Sequence, residues 1–433
     1  MSQPPWNVLS SPRDSRVTSE VNRTRGNSNS PGPTSATTAA NGDTYPIIAF
    51  SHLSWDWVWQ RPQQYLSRLA KTHPLLFVET YCSETDATRV ELRRIEGFTH
   101  LTIAKMHLSA ARWHDGDWVD RERRRALQAT LRTELQGKFE HPLLWFYDPM
   151  AVVPFAGYLK ECAIVYDCMD ELSQFKGAPV ALVEREQKLL KEADVVFCGG
   201  QKMRKKRLPV NENCHFFGTG VDIEHFGLAL SEELVVAPEI AALGSGPVLG
   251  YFGVIDERID YDLLALLADA RNDWQVVMVG PTAKVDPAEF PKRSNLHFIG
   301  SRPYAQLPAL TKGFSVALMP FAINAATEYI NPTKALEYMA AGRPVVSTAL
   351  DEVKLNFGKV ARIAATRAEF VKLCLRESES PSHLRIARGL NLARENTWEA
   401  NITRMKQHIS AVLASTDTAT ESATATIPRL AYV

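Results

Sequence analysis

The chain has six cysteines in 433 residues, and none forms a C-x-x-C pair. Scattered at Cys82, Cys162, Cys168, Cys198, Cys214 and Cys374, they exclude a dense disulfide framework and a cysteine zinc site, and they fit a reducing compartment. Charge of one sign is missing too. Lys+Arg and Asp+Glu both number 49, so no overall field draws the chain to nucleic acid or to an anionic membrane. Apolar runs are strand-sized and too short to cross a bilayer. Residues 1–43 are rich in Ser, Thr, Pro and Asn and contain no apolar stretch, so they read as a disordered tail and not as a signal peptide. Residues 415–433 read as a second tail. G-x-G-x-x-G does not follow the first expected strand, which weighs against a dinucleotide-binding oxidoreductase.

What is present is an alternation of short apolar runs with helical patterns. Strands are expected at Tyr45–Ser51, Pro74–Glu79, Leu101–Ala104, Leu143–Tyr147, Ala163–Asp167 and Asp194–Cys198. Helices are expected near Arg61–Lys71 and Val119–Lys138. After a Gly-rich connection at Phe217–Phe226 the rhythm restarts: Val248–Gly253, a helix at Asp260–Ala270, Trp274–Val279, Leu296–Ile299, Ser315–Met319, Pro344–Ser347 and a last helical stretch at Pro381–Leu413. The rhythm predicts an α/β protein with two Rossmann-like domains, 44–222 and 223–414, each a parallel sheet covered by helices, with a cleft between them. Such sheets bind ligands at the carboxyl ends of their strands.

Asn331–Thr348 reads NPTKALEYMAAGRPVVST. Asn331 is a good N-cap, and Pro332 and Thr333 suit the entry to a helix. Lys334 then lies in the first turn, where it opposes the helix dipole. A helix N-terminus with a lysine suits a diphosphate. Glu337 sits about 7.5 Å along the axis from Pro332, where its carboxylate can accept from both hydroxyls of a ribose. The bland alternative is a capped helix with two solvated charges.

This stretch resembles the donor-binding signature of group-one retaining glycosyltransferases of the GT-B fold. The resemblance implies that Glu337 binds the donor ribose and that the loop before Pro332 touches the sugar and phosphates. Members of that family carry two glutamates with seven residues between them. Here Glu328 and Glu337 have eight between, and the matching position is Tyr329.

Other segments are weighed beside it. In Leu249–Arg258 and Val279–Pro281, Gly253 and Gly280 permit close backbone approach. Arg258 can reach a phosphate, or it can pair with Asp256 or Asp260. The usual Arg after Gly253 is absent. Phe298–Tyr304 resembles the nucleobase loop of these enzymes, with Arg302 or Tyr304 covering the base, or else it is an ordinary turn. In the first half, Ser51–Gln63 places Trp55, Trp57 and Trp59 before Arg61, Pro62 and Gln63. This Trp-rich opening that ends in R-P-Q is similar to that of a bacterial subset linked to surface polysaccharide and teichuronic-type polymers. Trp59, Arg61 and Gln63 are the acceptor-side candidates. Asp148, Asp170 and His52 are candidates to bond the acceptor hydroxyl or steady the developing sugar cation, or else caps and a satisfied loop histidine. Arg121–Arg125 and Lys202–Arg207 are solvated helix faces or contacts for anionic lipid.

The function these readings imply is transfer of a sugar from a nucleotide-diphosphate sugar to a hydroxyl of a saccharide or lipid-linked acceptor. Lys334 and Arg258 steady the leaving diphosphate, and no metal and no further cofactor is expected. The expected setting is cytoplasmic, with peripheral contact at the inner membrane surface through the basic runs and no nucleic-acid partner. The alternatives are a nucleotide-sugar epimerase on the same fold and a catalytically inert nucleotide-sugar-binding protein.

Overall fold

The computed structural model describes residues 44–425 except 57–58, 84–86, 176, 325–326 and 329, with 416–425 described by backbone alone. The expected tail at 1–43, Trp57 and Tyr329 lie outside the described residues, as does 426–433. Two compact units divide the chain, 1–162 and 163–433.

In the first unit, β1 (Ile47–Phe50), β2 (Leu75–Ser83), β3 (Arg89–Arg94), β4 (Leu101–Ser109) and β5 (Leu143–Phe146) lie in the order β3-β4-β2-β1-β5. Every residue of β1 and β5 is buried, as expected for central parallel strands made of Ile, Leu, Phe and Trp. β2 and β4 pair in parallel over nine residues, longer than the apolar runs alone predict. Antiparallel β3 lies on the outer side of β4. Its sequence, RVELRR, is charged and half exposed, the composition of a protected edge, and it carries no apolar run that would announce it.

The second unit contains β6 (Ala163–Cys168), β7 (Val195–Cys198) and β8 (Cys214–Phe216), parallel and in that order. It also contains a six-stranded, all-parallel sheet in the order β11-β10-β9-β12-β13-β14. Its strands are β9 (Val248–Phe252), β10 (Gln275–Val279), β11 (Leu296–Gly300), β12 (Val316–Met319), β13 (Val345–Thr348) and β14 (Arg362–Ala364). The order reverses between β9 and β12, the switch point at which open α/β sheets bind ligands. The chain is therefore α/β with two Rossmann-like parallel sheets, as the sequence rhythm predicts.

The last helical stretch is not continuous. It breaks at Asn396–Thr397 into the helices His383–Glu395 and Trp398–Ala425. Val221 donates to the Asn396 carbonyl at 3.0 Å, and Val221 and Thr397 form a parallel bridge, so the break is a tertiary contact. The second helix runs into 415–425, where composition predicts a tail. Ala, Thr and Ser with no Gly or Pro do not stop a helix already nucleated. Among the described residues no helix is long and apolar enough to cross a membrane.

Candidate functional site

Three glycines end three adjacent strands of the six-stranded sheet. Gly253 N–H donates to the Val279 carbonyl at 2.8 Å, and Gly280 N–H donates to the Gly300 carbonyl at 2.9 Å. Gly253 has φ +144° and Gly280 has φ +150°, backbone that an L side chain rarely adopts. Space is tight as well. A Cβ on Gly253 would lie 2.0 Å from Lys334 Cε and 2.6 Å from its Nζ. A Cβ on Gly280 would lie 1.8 Å from the Gly253 carbonyl oxygen. The lysine thus lies directly across bare backbone at the strand ends.

Lys334 is the first residue of the helix Lys334–Ala340. Leu336 and Met339 of this helix are buried, and the Tyr338 hydroxyl ties it to β9 by accepting from Phe252 N–H at 3.0 Å. Lys334 Nζ stands 5.6 Å from the centre of the Tyr251 ring, a cation–π approach. Glu337, three residues on, shares its face of the helix. Burial pushes the Glu337 carboxyl up to about 7, with Lys334 opposing. Burial pulls the Lys334 ammonium below its ordinary value, Glu337 opposes, and the charge of Arg258 adds to the fall. Lys334, Glu337 and Arg258 therefore occupy one electrostatic cluster, and Asp170 also acts on Arg258.

Asn331 is not the cap of this helix. Thr333 holds the N-cap position and makes no side-chain cap bond. The Asn331 amide is engaged elsewhere: Nδ2 donates to the Gly199 carbonyl at 2.9 Å. Pro332 and Thr333 form the entry turn, with Ala335 N–H on the Pro332 carbonyl at 3.3 Å. Glu328 accepts from Lys202 Nζ at 3.0 Å, so its carboxylate is tied to the helix Gln201–Arg207. Arg258 is bidentate on Asp256, with Nη2 to Oδ2 at 2.6 Å and Nε to Oδ1 at 2.9 Å. That is the pairing the sequence leaves open, and it aims the guanidinium while lowering its net charge.

In the expected nucleobase loop, Arg302 Nε binds Glu239 at 2.7 Å and Nη1 binds the Ile299 carbonyl at 2.6 Å. Its donors brace the loop. Tyr304 is 37% exposed and stacks on His225 at 4.2 Å with an 11° interplanar angle. His225 is the partner that sequence spacing does not announce, because 79 residues separate the two. A cavity of about 670 Å³ opens beside the strand ends, lined by Ile255, Gly280, Thr282, Phe290, Phe298 and Gly300 among others.

The first unit holds the other candidates. Gln63 is fully buried, its Nε2 on the Ser54 carbonyl at 3.0 Å and its Oε1 on Gln60 N–H at 3.1 Å. It clamps the Trp-rich loop onto the helix Arg61–Leu69, and both of its polar atoms are engaged there. Arg61 is buried over the Tyr65 ring at 4.9 Å. Trp55 is core, edge-on to Phe77 at 5.2 Å. Trp59 is 45% exposed and leans on Trp55 at 6.2 Å. Asp148 caps the turn after β5 by accepting from Met150 N–H at 2.9 Å, with Arg123 at 3.7 Å. His52 Nδ1 lies 3.3 Å from the Tyr147 carbonyl.

Both basic runs are largely engaged inside the molecule. Arg124 donates to the Val153 and Pro154 carbonyls and stacks on Tyr158, and Arg125 binds Glu122. Arg207 is buried between Glu171 and Glu186, Lys206 also binds Glu171, and Arg204 donates to the Cys214 carbonyl.

Comparison with known proteins places this geometry. Residues 246–372 match the family model of glycosyl transferases group 1. A curated relative, the putative teichuronic acid biosynthesis glycosyltransferase TuaH of Bacillus subtilis (strain 168), is 27% identical over 207 residues, 43% of this chain and 50% of the relative. The match thus spans half the length of that protein. Among solved structures, the α,α-trehalose 6-phosphate synthase of Burkholderia multivorans superposes with a TM-score of 0.63 at 13% identity, over 87% of this chain and 100% of the other. The E. coli trehalose-6-phosphate protein bound with UDP-2-fluoro glucose gives 0.58 at 12% identity, over 85% and 99%. The segment that builds the Gly253–Lys334–Glu337 cluster thus matches the group 1 glycosyl transferase model, and the fold that carries it is similar to that of the trehalose-6-phosphate synthase structures.

Proposed function

We propose that the chain transfers a sugar from a nucleoside-diphosphate sugar to a hydroxyl of a saccharide or lipid-linked acceptor, with retention at the anomeric carbon. The observation that carries this reading is the Lys334 ammonium lying across the bare backbone of Gly253, with Glu337 one turn along. In this reading the diphosphate lies over the strand ends, where Lys334 and Arg258 face it, and the ribose hydroxyls donate to Glu337. The cavity beside Gly280 and Gly300 takes the base, with the Tyr304–His225 stack near it. One similar structure holds UDP-2-fluoro glucose, which makes a uridine nucleotide the first donor to try. A surface-polymer acceptor follows from the likeness to a protein of teichuronic acid biosynthesis. The reaction belongs in the cytoplasm, where nucleotide sugars are made.

As the glycosidic bond breaks, charge grows on the leaving diphosphate. A cation fixed beside it binds the transition state better than the ground state. Lys334 and Arg258 perform that task without a divalent ion. The test is steady-state kinetics on a panel of nucleoside-diphosphate sugars. Lys334→Ala should lower kcat by about 10²–10³ with a smaller change in donor KM, and Arg258→Ala should do so less, since Asp256 already offsets its charge. Turnover should survive EDTA. A pure KM effect at Lys334, or activity restored only by Mn²⁺ or Mg²⁺, would overturn the assignment.

A further inference from the structure

Glu352 is fully buried. It belongs to the helix Asp351–Phe357, yet its carboxylate reaches across to the N-terminus of the helix Gln201–Arg207. Oε2 accepts from Gln201 N–H at 2.9 Å and Oε1 accepts from Lys202 N–H at 2.7 Å. Asn356 Nδ2 donates to Glu352 Oε2 at 3.2 Å and to Asn331 Oδ1 at 3.4 Å. Asn331 then closes the circuit by donating to the Gly199 carbonyl at 2.9 Å. Lys202 adds ion pairs to Glu328 at 3.0 Å and to Asp351 at 3.1 Å. A Cβ on Gly200 would sit 2.9 Å from Glu352 Oε1, so a side chain here would displace the carboxylate.

The circuit leads to the donor helix through Asn331. Asn331 is followed by Pro332, which fixes its own φ, then by Thr333 at the N-cap and by Lys334. Few soft dihedrals separate the anchored amide from the ammonium over Gly253. Two backbone N–H groups on one buried carboxylate are charge-assisted hydrogen bonds, much stiffer than the exposed Lys202 pairs. We propose that Glu352 is a positioning residue: through Asn356 and Asn331 it fixes the entry turn of the Lys334 helix against Gly199 and the N-terminus of the helix Gln201–Arg207, and so sets where Lys334 stands. Glu352 itself contacts no donor. The proposal rests on Lys334 serving the leaving diphosphate.

The test uses the full chain with Glu352→Gln, Glu352→Ala and Asn331→Ala. Glutamine keeps the shape and one acceptor oxygen but turns an NH₂ toward a backbone donor, and alanine removes both acceptors. Backbone hydrogen–deuterium exchange in the free protein should rise in 330–340 in all three variants, while β9 and β10 keep their protection. kcat should fall by about tenfold to 100-fold, the cost of misplacing a catalytic group by about an ångström, in the order Ala beyond Gln at 352, with donor KM changed far less. If Glu352→Ala does not fold, Asn331→Ala carries the same comparison from the other end of the circuit. Variants that melt earlier but keep exchange in 330–340 and kcat would make Glu352 merely structural. The wild-type arm separates the two ideas: if UDP and the other nucleoside diphosphates do not bind it by calorimetry, the donor reading falls and the positioning role falls with it.

Discussion

At the residue scale the informative group is Glu337. Its carboxyl titrates near 7, against an ordinary 4.5, because burial disfavours the charge more than Lys334 restores it. Folding therefore takes up a proton between these values. Stability from this group is complete below about pH 4.5 and falls as pH rises to about 7. Donor binding has the opposite sign. Ribose hydroxyls donate to the carboxylate, so binding near pH 6 has to release the proton. Donor affinity should weaken below pH 7, approaching about tenfold per unit. The diphosphate's own ionisation is common to all variants, so Glu337→Gln isolates the effect: weaker binding overall and a flatter pH profile. Calorimetry in two buffers of different ionisation enthalpy measures the released proton directly. Equal pH profiles for wild type and Glu337→Gln would remove the ribose from this side chain.

At the scale of elements, the site depends on strand ends that carry no side chain. Gly253→Ala would force a methyl into Lys334 Cε at a φ of +144°. The side chain has freedom to move, so the fold should survive with a loss of about 1–3 kcal/mol, while turnover falls because the ammonium leaves its place. Gly280→Ala meets the Gly253 carbonyl, which is backbone and cannot step aside. It should cost more stability than Gly253→Ala and disturb both strand ends. Melting temperature and kcat measured together separate the two, and equal melting for both would refute the steric argument. Most of this was legible in the sequence. Apolar runs mark eleven of the fourteen described strands, and the order Pro332, Lys334, Glu337 marks the donor helix. What was not legible has physical causes. β3 is charged, and β8 and β14 are three residues each, too short to carry a period. Gln63 reads as a ligand because a buried amide clamping a loop has the same sequence as an exposed one. Asn331 reads as a cap because its true partner, Gly199, is 132 residues away. Glu352 is about as far from its partners, and local spacing cannot report such a contact.

At the scale of the whole molecule, the groups assigned to the donor all belong to one compact unit, 163–433. A nucleoside diphosphate that binds only the folded form stabilises it by mass action, about 2.7 kcal/mol at a hundredfold excess over Kd. For a unit of this size that is a rise of about 5–10 °C in melting temperature. UDP is the first probe, followed by the other nucleoside diphosphates. The nucleotide that gives the largest rise names the base, which no residue in the sequence specifies. The double variant Lys334→Ala, Glu337→Ala removes the diphosphate cation and the ribose acceptor together. These two sit one turn apart and share a field, so their losses should not add independently, but together they should cut the rise to a small remainder. Arg258 remains in the double variant, but Asp256 offsets its charge, so it keeps only part of the hold on the diphosphate. A full rise in the double variant would put the nucleotide away from the strand ends of β9 and β10. The glycines there would then serve packing alone, and the lysine over Gly253 would have no substrate to act on.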